Sequence, residues 1–376
     1  MTKILIPIET ASGERRVSAT PSAVKKLKGL GCEVFVESSA GELSGFNDTL
    51  YKESGGEIVS KSNINIWENA DVVFCVQPPS ESNLSKLKKG AILLGLLNPY
   101  ANEKLQKTIT SKKISALSME LLPRISRAQS SDVLSSQANI AGYKAVLLAA
   151  SELDRYFPML MTAAGTVQPA KVVVLGGGVA GLQAVATAKR LGAIVFVSDI
   201  RPAVKEQVES LGARFIELPE IDEKPGESGG YAKAVTPEFL SKQKATLTKY
   251  LSEADVAVCT AQVLGKKAPV LIDSHMIEKM RPGAVVIDLA VSQGGNCEGT
   301  KSNETIISNG VKLIGAGELP SSVPYDASTL YAKNLTSLIT PFIKDGVINL
   351  DKEDELISGC LLSNEGVILQ NKVFEN

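Results

Sequence analysis

The sequence predicts an α/β protein built from two doubly wound, Rossmann-like domains. Three observations carry that prediction. Apolar, β-rich runs alternate with helix-like segments over residues 1–120, and the alternation starts again near Lys171, the pattern of a mostly parallel sheet. A glycine-rich turn, Gly176-Gly-Gly-Val-Ala-Gly181, joins an apolar run to a helix-like segment. The chain, at 376 residues, is long for one core, and two domains are the natural division.

In the first half the strand candidates are Lys3-Ile-Leu-Ile-Pro7, Glu33-Val-Phe-Val36, Asp71-Val-Val-Phe-Cys-Val76, Ala91-Ile-Leu-Leu94 and Ile114-Ser-Ala-Leu117. Helix candidates between them include Pro21 to Leu30 and Asn102 to Thr110. In the second half, strands are expected at 171–175, 194–199, 214–216, 255–259, 284–288 and 311–314, with a helix over Gln183 to Leu191. Two longer helical segments, Ser136 to Phe157 and Ser328 to Thr340 (stopped by Pro341), join the halves. The second returns the chain to the first domain. The expected division is therefore 1–134 plus 325–376 for a discontinuous first domain and 135–324 for the second. Ligands of such sheets bind beyond the carboxyl ends of the strands, so a cleft is expected between the domains.

The run Lys171-Val-Val-Val-Leu175, the glycine turn, a helix, and Ile194-Val-Phe-Val-Ser-Asp199 together form the layout of a dinucleotide-binding unit. Gly176 allows the tight turn, Gly178 lets the backbone approach a pyrophosphate, and Gly181 lets the helix pack on the strand. The helix N-terminus offers free N–H groups to the phosphates. Asp199 falls eighteen residues after Gly181, near the usual distance for an acid that binds the adenosine ribose. It would accept from a free 2′-hydroxyl and repel a 2′-phosphate, which favours NAD over NADP. Arg201 blurs that preference, because an arginine there can pair with a phosphate.

Composition excludes several classes. The net charge is −1 and the residues are 44% hydrophobic and 22% charged, which offers neither a nucleic-acid surface nor a polybasic membrane patch. The longest apolar runs fall far short of the ~20 residues a bilayer span needs, and the N-terminus lacks the regions of a signal peptide. Cys32, Cys75, Cys259, Cys297 and Cys360 are scattered, with no CxxC pair. They read as reduced core or surface thiols, and with the single His275 they form no recognisable zinc site. His275 lies in a polar helix start and reads as a surface residue.

Two further stretches stand out. Leu218 to Thr236 contains Gly-Gly-Tyr and is long for a loop in a compact domain; it is either a hinged flap over a ligand or a plain surface insertion. Pro123 to Gln137 concentrates Arg124, Arg127, Gln129, Asp132 and Ser135 after the strand at 114–117. It is either a solvated polar loop or part of a site.

The loop Arg124-Ile-Ser-Arg-Ala-Gln-Ser-Ser-Asp-Val-Leu-Ser-Ser136 resembles the signature loop of the NAD(H)-binding component of proton-translocating nicotinamide nucleotide transhydrogenase. The resemblance runs over nearly the whole chain. It includes Glu14-Arg-Arg-Val17, Ala138-Asn-Ile-Ala-Gly-Tyr-Lys144, Gly229-Gly-Tyr-Ala-Lys233, Gly265-Lys-Lys-Ala-Pro-Val270, Asp288-Leu-Ala-Val291, Gly294-Gly-Asn296 and Ala332-Lys-Asn334. It is similar to the form whose alpha subunit is split, ending where the NAD(H)-binding piece of that form would end.

The resemblance implies that the chain binds NAD(H) and exchanges hydride directly with NADP(H) held by a beta subunit, as the NAD(H)-binding piece of the alpha subunit in a Re/Si-specific enzyme. It implies membrane subunits as further partners, a homodimer, and a cytoplasmic place at the inner face of a membrane. Arg124, Gln129, Asp132 and Ser135 would handle the nicotinamide and its ribose, with Gln129 nearest the transfer point. Gly176, Gly178, Val179 and Gly181 would hold the pyrophosphate, and Asp199, Ile200 and Arg201 the adenosine ribose. Gly230 and Tyr231 would belong to a closing loop. Gln243 and Gln262 would be further contacts, with Gln262 relying on its backbone where an aliphatic residue is expected.

The family also resembles alanine dehydrogenase. The keto-acid lysine of that enzyme would fall at about Gln77, its catalytic histidine near Leu97, and its catalytic aspartate at Ser292; only its N-terminal arginine has a candidate, Arg16. A general acid must lie within hydrogen-bond reach of the group it protonates, so the expected acid and its supporting charges are missing together. An alanine dehydrogenase-like enzyme and a non-enzymatic NAD(H) sensor are the alternatives to transhydrogenase.

Overall fold

The computed structural model describes residues 1–60, 62–63, 65–218, 237–263 and 265–370. The chain forms two compact units, one from Met1–Gln137 with the chain from Pro320 onward, the other from Ala138–Leu319. Helix Val133–Glu152 contributes its first residues to one unit and the rest to the other, and helix Pro324–Ile339 belongs wholly to the first.

Among the described residues the first unit holds an eight-stranded sheet. Its spatial order is Val367–Ile368, Leu361–Asn364, Ser115–Ser118, Ile92–Gly95, Val72–Phe74, Lys3–Ile6, Glu33–Glu37 and Glu57–Val59. The strands between residues 3 and 118 are parallel, while the two C-terminal strands add antiparallel at one edge. The first strand is flanked by the second and the fourth, so strand order reverses there. Successive side chains alternate between faces. Ile4, Ile6, Val72 and Phe74 pack with Leu335 and Leu338 of helix Pro324–Ile339, and Leu5, Val73 and Leu93 pack with Trp67 and Ile109. Burial on both faces is why these strands read as continuous apolar runs.

The second unit repeats the plan. Its seven described strands are ordered Arg214–Phe215, Ile194–Ser198, Lys171–Leu175, Val256–Cys259, Val285–Asp288, Val311–Gly315 and Thr305–Ser308. All pairings are parallel except that of the last strand. Val172 and Val174 face Ala184 and Ala188, while Val173 and Leu175 face Leu247 and Leu251. Lys171–Leu175 lies between Ile194–Ser198 and Val256–Cys259, so the order reverses at the strand that feeds the glycine turn.

Several boundaries differ from the sequence expectation. The helix expected over 136–157 runs Val133–Glu152, because Asp132 caps it. The helix expected from Gln183 begins at Val179, directly after Gly178, and the one expected over 328–340 runs Pro324–Ile339 with proline in its first turn. Strands Glu57–Val59, Thr305–Ser308, Leu361–Asn364 and Val367–Ile368 were not expected. All five cysteines are free and buried, none at the surface. His275 is exposed, as expected. No described helix is long and apolar enough to cross a membrane, and no described cluster of His, Cys, Asp and Glu could hold a metal.

Candidate functional site

In the second unit, chain reversal at Gly176 needs a positive φ, and this residue has φ +103°. At Gly181 a Cβ would lie 1.8 Å from the Gly176 carbonyl oxygen, so only glycine lets helix Val179–Arg190 sit this close to the turn. Gly178 faces open space, with nothing within 4 Å of the position a Cβ would take. Gly178 is also the N-cap residue of that helix and supplies no side-chain cap. The first helical N–H groups therefore point outward without a side-chain acceptor, an arrangement that suits a phosphate.

The turn is clamped by a residue that sequence reasoning missed. Thr260, just past strand Val256–Cys259, donates its hydroxyl to the Gly176 carbonyl at 2.8 Å. Its neighbour Ala261 is fixed by Asn296, whose side-chain oxygen accepts from Ala261 N at 3.0 Å and whose amide donates to Ala261 O at 2.8 Å. Asn296 is itself positioned by fully buried Asp288, which accepts from the backbone N–H groups of Ala290, Asn296 and Cys297 and from the Thr300 hydroxyl. The motifs around Asp288 and Gly294-Gly-Asn296 thus support the turn from behind.

Asp199 closes the next strand. It accepts the Gly177 N–H at 2.7 Å and the Arg201 N–H at 2.8 Å, and the Arg201 guanidinium forks onto both its oxygens at 2.9 and 2.8 Å. Burial pushes its carboxyl up, but the Arg201 hydrogen bonds and charge outweigh this and hold it below the usual range. Val179, at the start of helix Val179–Arg190, and Ile200, next to this acid in the chain, both expose aliphatic side chains. Gln262 donates its side-chain amide to the Leu289 carbonyl at 2.7 Å. Gln243 is buried within helix Pro237–Glu253. Gly230 and Tyr231 lie outside the described residues.

In the first unit, the stretch read as a loop is a 3-10 segment, Ser126–Ser131, leading into helix Val133–Glu152. Asp132 accepts from Ser135 N at 2.9 Å and Ser135 Oγ at 2.6 Å, the geometry of an N-cap. Arg124 and Gln129 are exposed. Arg127 instead holds Asp354 through one nitrogen at 2.7 and 2.5 Å. Asn334, on helix Pro324–Ile339, donates to the Ser130 carbonyl at 2.9 Å and accepts from Ser136 Oγ at 2.7 Å. It pins the segment on both sides of Asp132; its place in the run Ala332-Lys-Asn334 was the one signal available.

The point in this unit where strand order reverses carries no glycine turn. Glu9 projects there and accepts from Val76 N at 2.6 Å and Gln77 N at 3.0 Å, so the strand-end N–H groups are already taken. Arg16 is buried and engaged by Glu14 at 2.6 and 2.7 Å and by Gln137 at 2.9 Å. Burial pushes the Glu14 carboxyl up, but Arg16 outweighs it and holds it low. Gln77 adds a 3.4 Å contact to Glu14, and Leu97 is a fully buried aliphatic side chain.

Fold and turn define a class: a two-unit α/β protein in which one unit carries a dinucleotide-type turn and the other does not. Family models described as "Alanine dehydrogenase/PNT, N-terminal domain" and "C-terminal domain" match residues 5–141 and 145–371. The chain belongs to this alanine dehydrogenase/PNT family. It is 48% identical over 375 residues to the first piece of the NAD(P) transhydrogenase alpha subunit of Rhodospirillum rubrum, covering 98% of this chain and 97% of that one. A transhydrogenase structure from Sinorhizobium meliloti superposes with a TM-score of 0.88 at 40% identity, covering 98% and 100% of the two chains. Alanine dehydrogenase 2 of Staphylococcus aureus is 31% identical over 342 residues, 89% of this chain and 85% of that one.

Proposed function

We propose that this chain is the NAD(H)-binding component of a transhydrogenase and exchanges hydride directly with NADP(H) on a partner subunit. The observation that carries the reading is a contrast within one chain. The nucleotide turn is complete, whereas the positions where an alanine dehydrogenase would keep its acid and charges hold Leu97, Gln77 and Ser292, with Arg16 committed to Glu14. Similarity to the Rhodospirillum rubrum subunit over nearly the full length of both chains supports it.

When bound, NAD(H) supplies or takes up the hydride, and the protein supplies binding and orientation. Gly176, Gly178, Val179 and Gly181 would hold the pyrophosphate through the uncapped helix N-terminus. Asp199, with Ile200 and Arg201 beside it, would receive the adenosine ribose. Gly230, Tyr231, Gln243 and the Gln262 backbone are proposed as further contacts. Arg124 and Gln129 are exposed donors suited to a carboxamide or ribose, and Asp132 with Ser135 would complete the nicotinamide side. Transfer between two cofactors needs no acid or base from this chain, only approach and exclusion of water. The subunit's homodimer, its beta-subunit and membrane partners, its seat at the inner membrane face and its link to proton translocation belong to the same proposal.

Fluorescence titration with NADH, followed by pyruvate and ammonium, tests the reading. Saturable binding without oxidation is expected. Sustained NADH oxidation by pyruvate and ammonium with no partner would make the chain an alanine dehydrogenase.

A further inference from the structure

Asp199 has no acceptor position left for a ligand. An ionised carboxylate offers about four lone-pair sites, and four donors fill them. Oδ1 takes Arg201 N at 2.8 Å and Arg201 Nε at 2.9 Å. Oδ2 takes Gly177 N at 2.7 Å and Arg201 Nη2 at 2.8 Å. Two of these donors are backbone groups fixed by the turn and by the chain leaving the strand. The other two belong to one side chain, and that side chain is 54% exposed where Asp199 is 5% exposed. A ribose diol also brings two hydroxyl donors.

We infer that the Arg201 side chain is a stand-in for the adenosine ribose: it fills the ribose subsite of the nucleotide-free chain and is displaced two-for-two by the diol. The inference rests on the NAD(H) reading and gives Arg201 a different role in it. Arg201 then sets affinity and selectivity as a competitor of the ribose, not as its ligand. The displaced guanidinium keeps its charge near the ribose. It would draw a 2′-phosphate that Asp199 alone repels.

Arg201→Ala keeps the backbone N–H donor and empties two acceptor positions. NADH affinity is expected to rise roughly twofold to tenfold, the worth of a half-exposed forked ion pair. NADPH affinity is expected to fall, so discrimination between the two widens. Arg201→Lys retains the charge without the fork and should fall between wild type and Arg201→Ala for both nucleotides.

The experiment is fluorescence titration of NADH and NADPH against wild type, Arg201→Ala, Arg201→Lys and Asp199→Asn, each checked for native circular dichroism. Binding by wild type, weakened in Asp199→Asn, keeps the nucleotide reading intact. Tighter NADH and weaker NADPH binding by Arg201→Ala then supports the displaced stand-in. Weaker or unchanged NADH binding by Arg201→Ala, with Asp199→Asn still impaired, overturns it and leaves the nucleotide reading standing. A wild type that binds no NADH overturns both.

Discussion

Both carboxylate oxygens of Asp132 face Ser135, one on its backbone N–H and one on its hydroxyl. The residue therefore caps a helix whatever else it does, and substitutions must separate that role from ligand handling. Asparagine caps about as well as aspartate, so Asp132→Asn should leave urea unfolding nearly unchanged while weakening NADH binding and slowing transfer. Asp132→Ala should in addition lose about 1 kcal/mol of stability. Equal NADH affinity and transfer rate in wild type and Asp132→Asn would assign the residue to the cap alone. Gln129→Asn should slow transfer more than it weakens NADH binding; the reverse pattern, read from kcat and Kd, would make Gln129 a binding residue. Glu9 gives a prediction in pH. Burial pushes its carboxyl up to about 8 against the hydrogen bonds from Val76 and Gln77. The folded chain keeps the proton where the unfolded chain, with an ordinary glutamate near 4.3, has lost it. Stability from this group is thus full below that lower value and is lost as pH rises through the folded one. Glu9→Gln has one oxygen fewer to accept the Val76 and Gln77 N–H groups and should start below wild type near pH 4.5. The difference should nevertheless move in the variant's favour by at least about 1 kcal/mol between pH 4.5 and pH 8. An equal difference at both values, measured by urea unfolding, would contradict the assignment.

At the scale of elements, the nucleotide turn depends on how closely helix Val179–Arg190 can sit on it. Gly181→Ala places a methyl against the Gly176 carbonyl oxygen, a backbone atom that cannot step aside. A loss of about 2 kcal/mol or more is expected, with NADH binding impaired; native stability in the variant would mean that the turn relaxes freely. Asn334→Ala removes both bonds that pin Ser130 and Ser136. It should lower the transfer rate more than NADH affinity, and a change in melting temperature alone would make Asn334 purely structural. The strands of the second unit could be read from sequence because valine-rich runs buried on both faces leave an unbroken apolar signal. Thr305–Ser308 escaped notice because it is a short antiparallel edge whose side chains alternate between exposed and half-buried. The start of helix Val133–Glu152 was hidden in a polar stretch, although Asp132 before Val133 is a capping signal in the sequence. Of the candidate residues, the glycines carry their geometry in their identity. Thr260 and Asn296 do not, since a threonine or asparagine announces nothing until the fold brings it against the turn.

The whole molecule sets two sheets with the same core strand order to different tasks. In the second unit the reversal point ends in an open glycine turn; in the first the same point is closed by the Glu9 carboxyl group, which accepts from Val76 N and Gln77 N. One unit is built to take a dinucleotide. The other carries the segment from Arg124 to Ser135, held by Asn334 and by the pairing of Arg127 with Asp354. On the proposed transhydrogenase reading, such a chain would depend on a second protein to complete its reaction. The most direct test is hydride transfer from NADH to an absorbance-distinguishable NADP⁺ analogue, with and without a purified NADP(H)-binding transhydrogenase domain. The account predicts rapid transfer only when that domain is present. Saturable NADH binding without any transfer, in the presence of a domain shown to be competent with another transhydrogenase, would contradict it and make the chain an NAD(H) sensor.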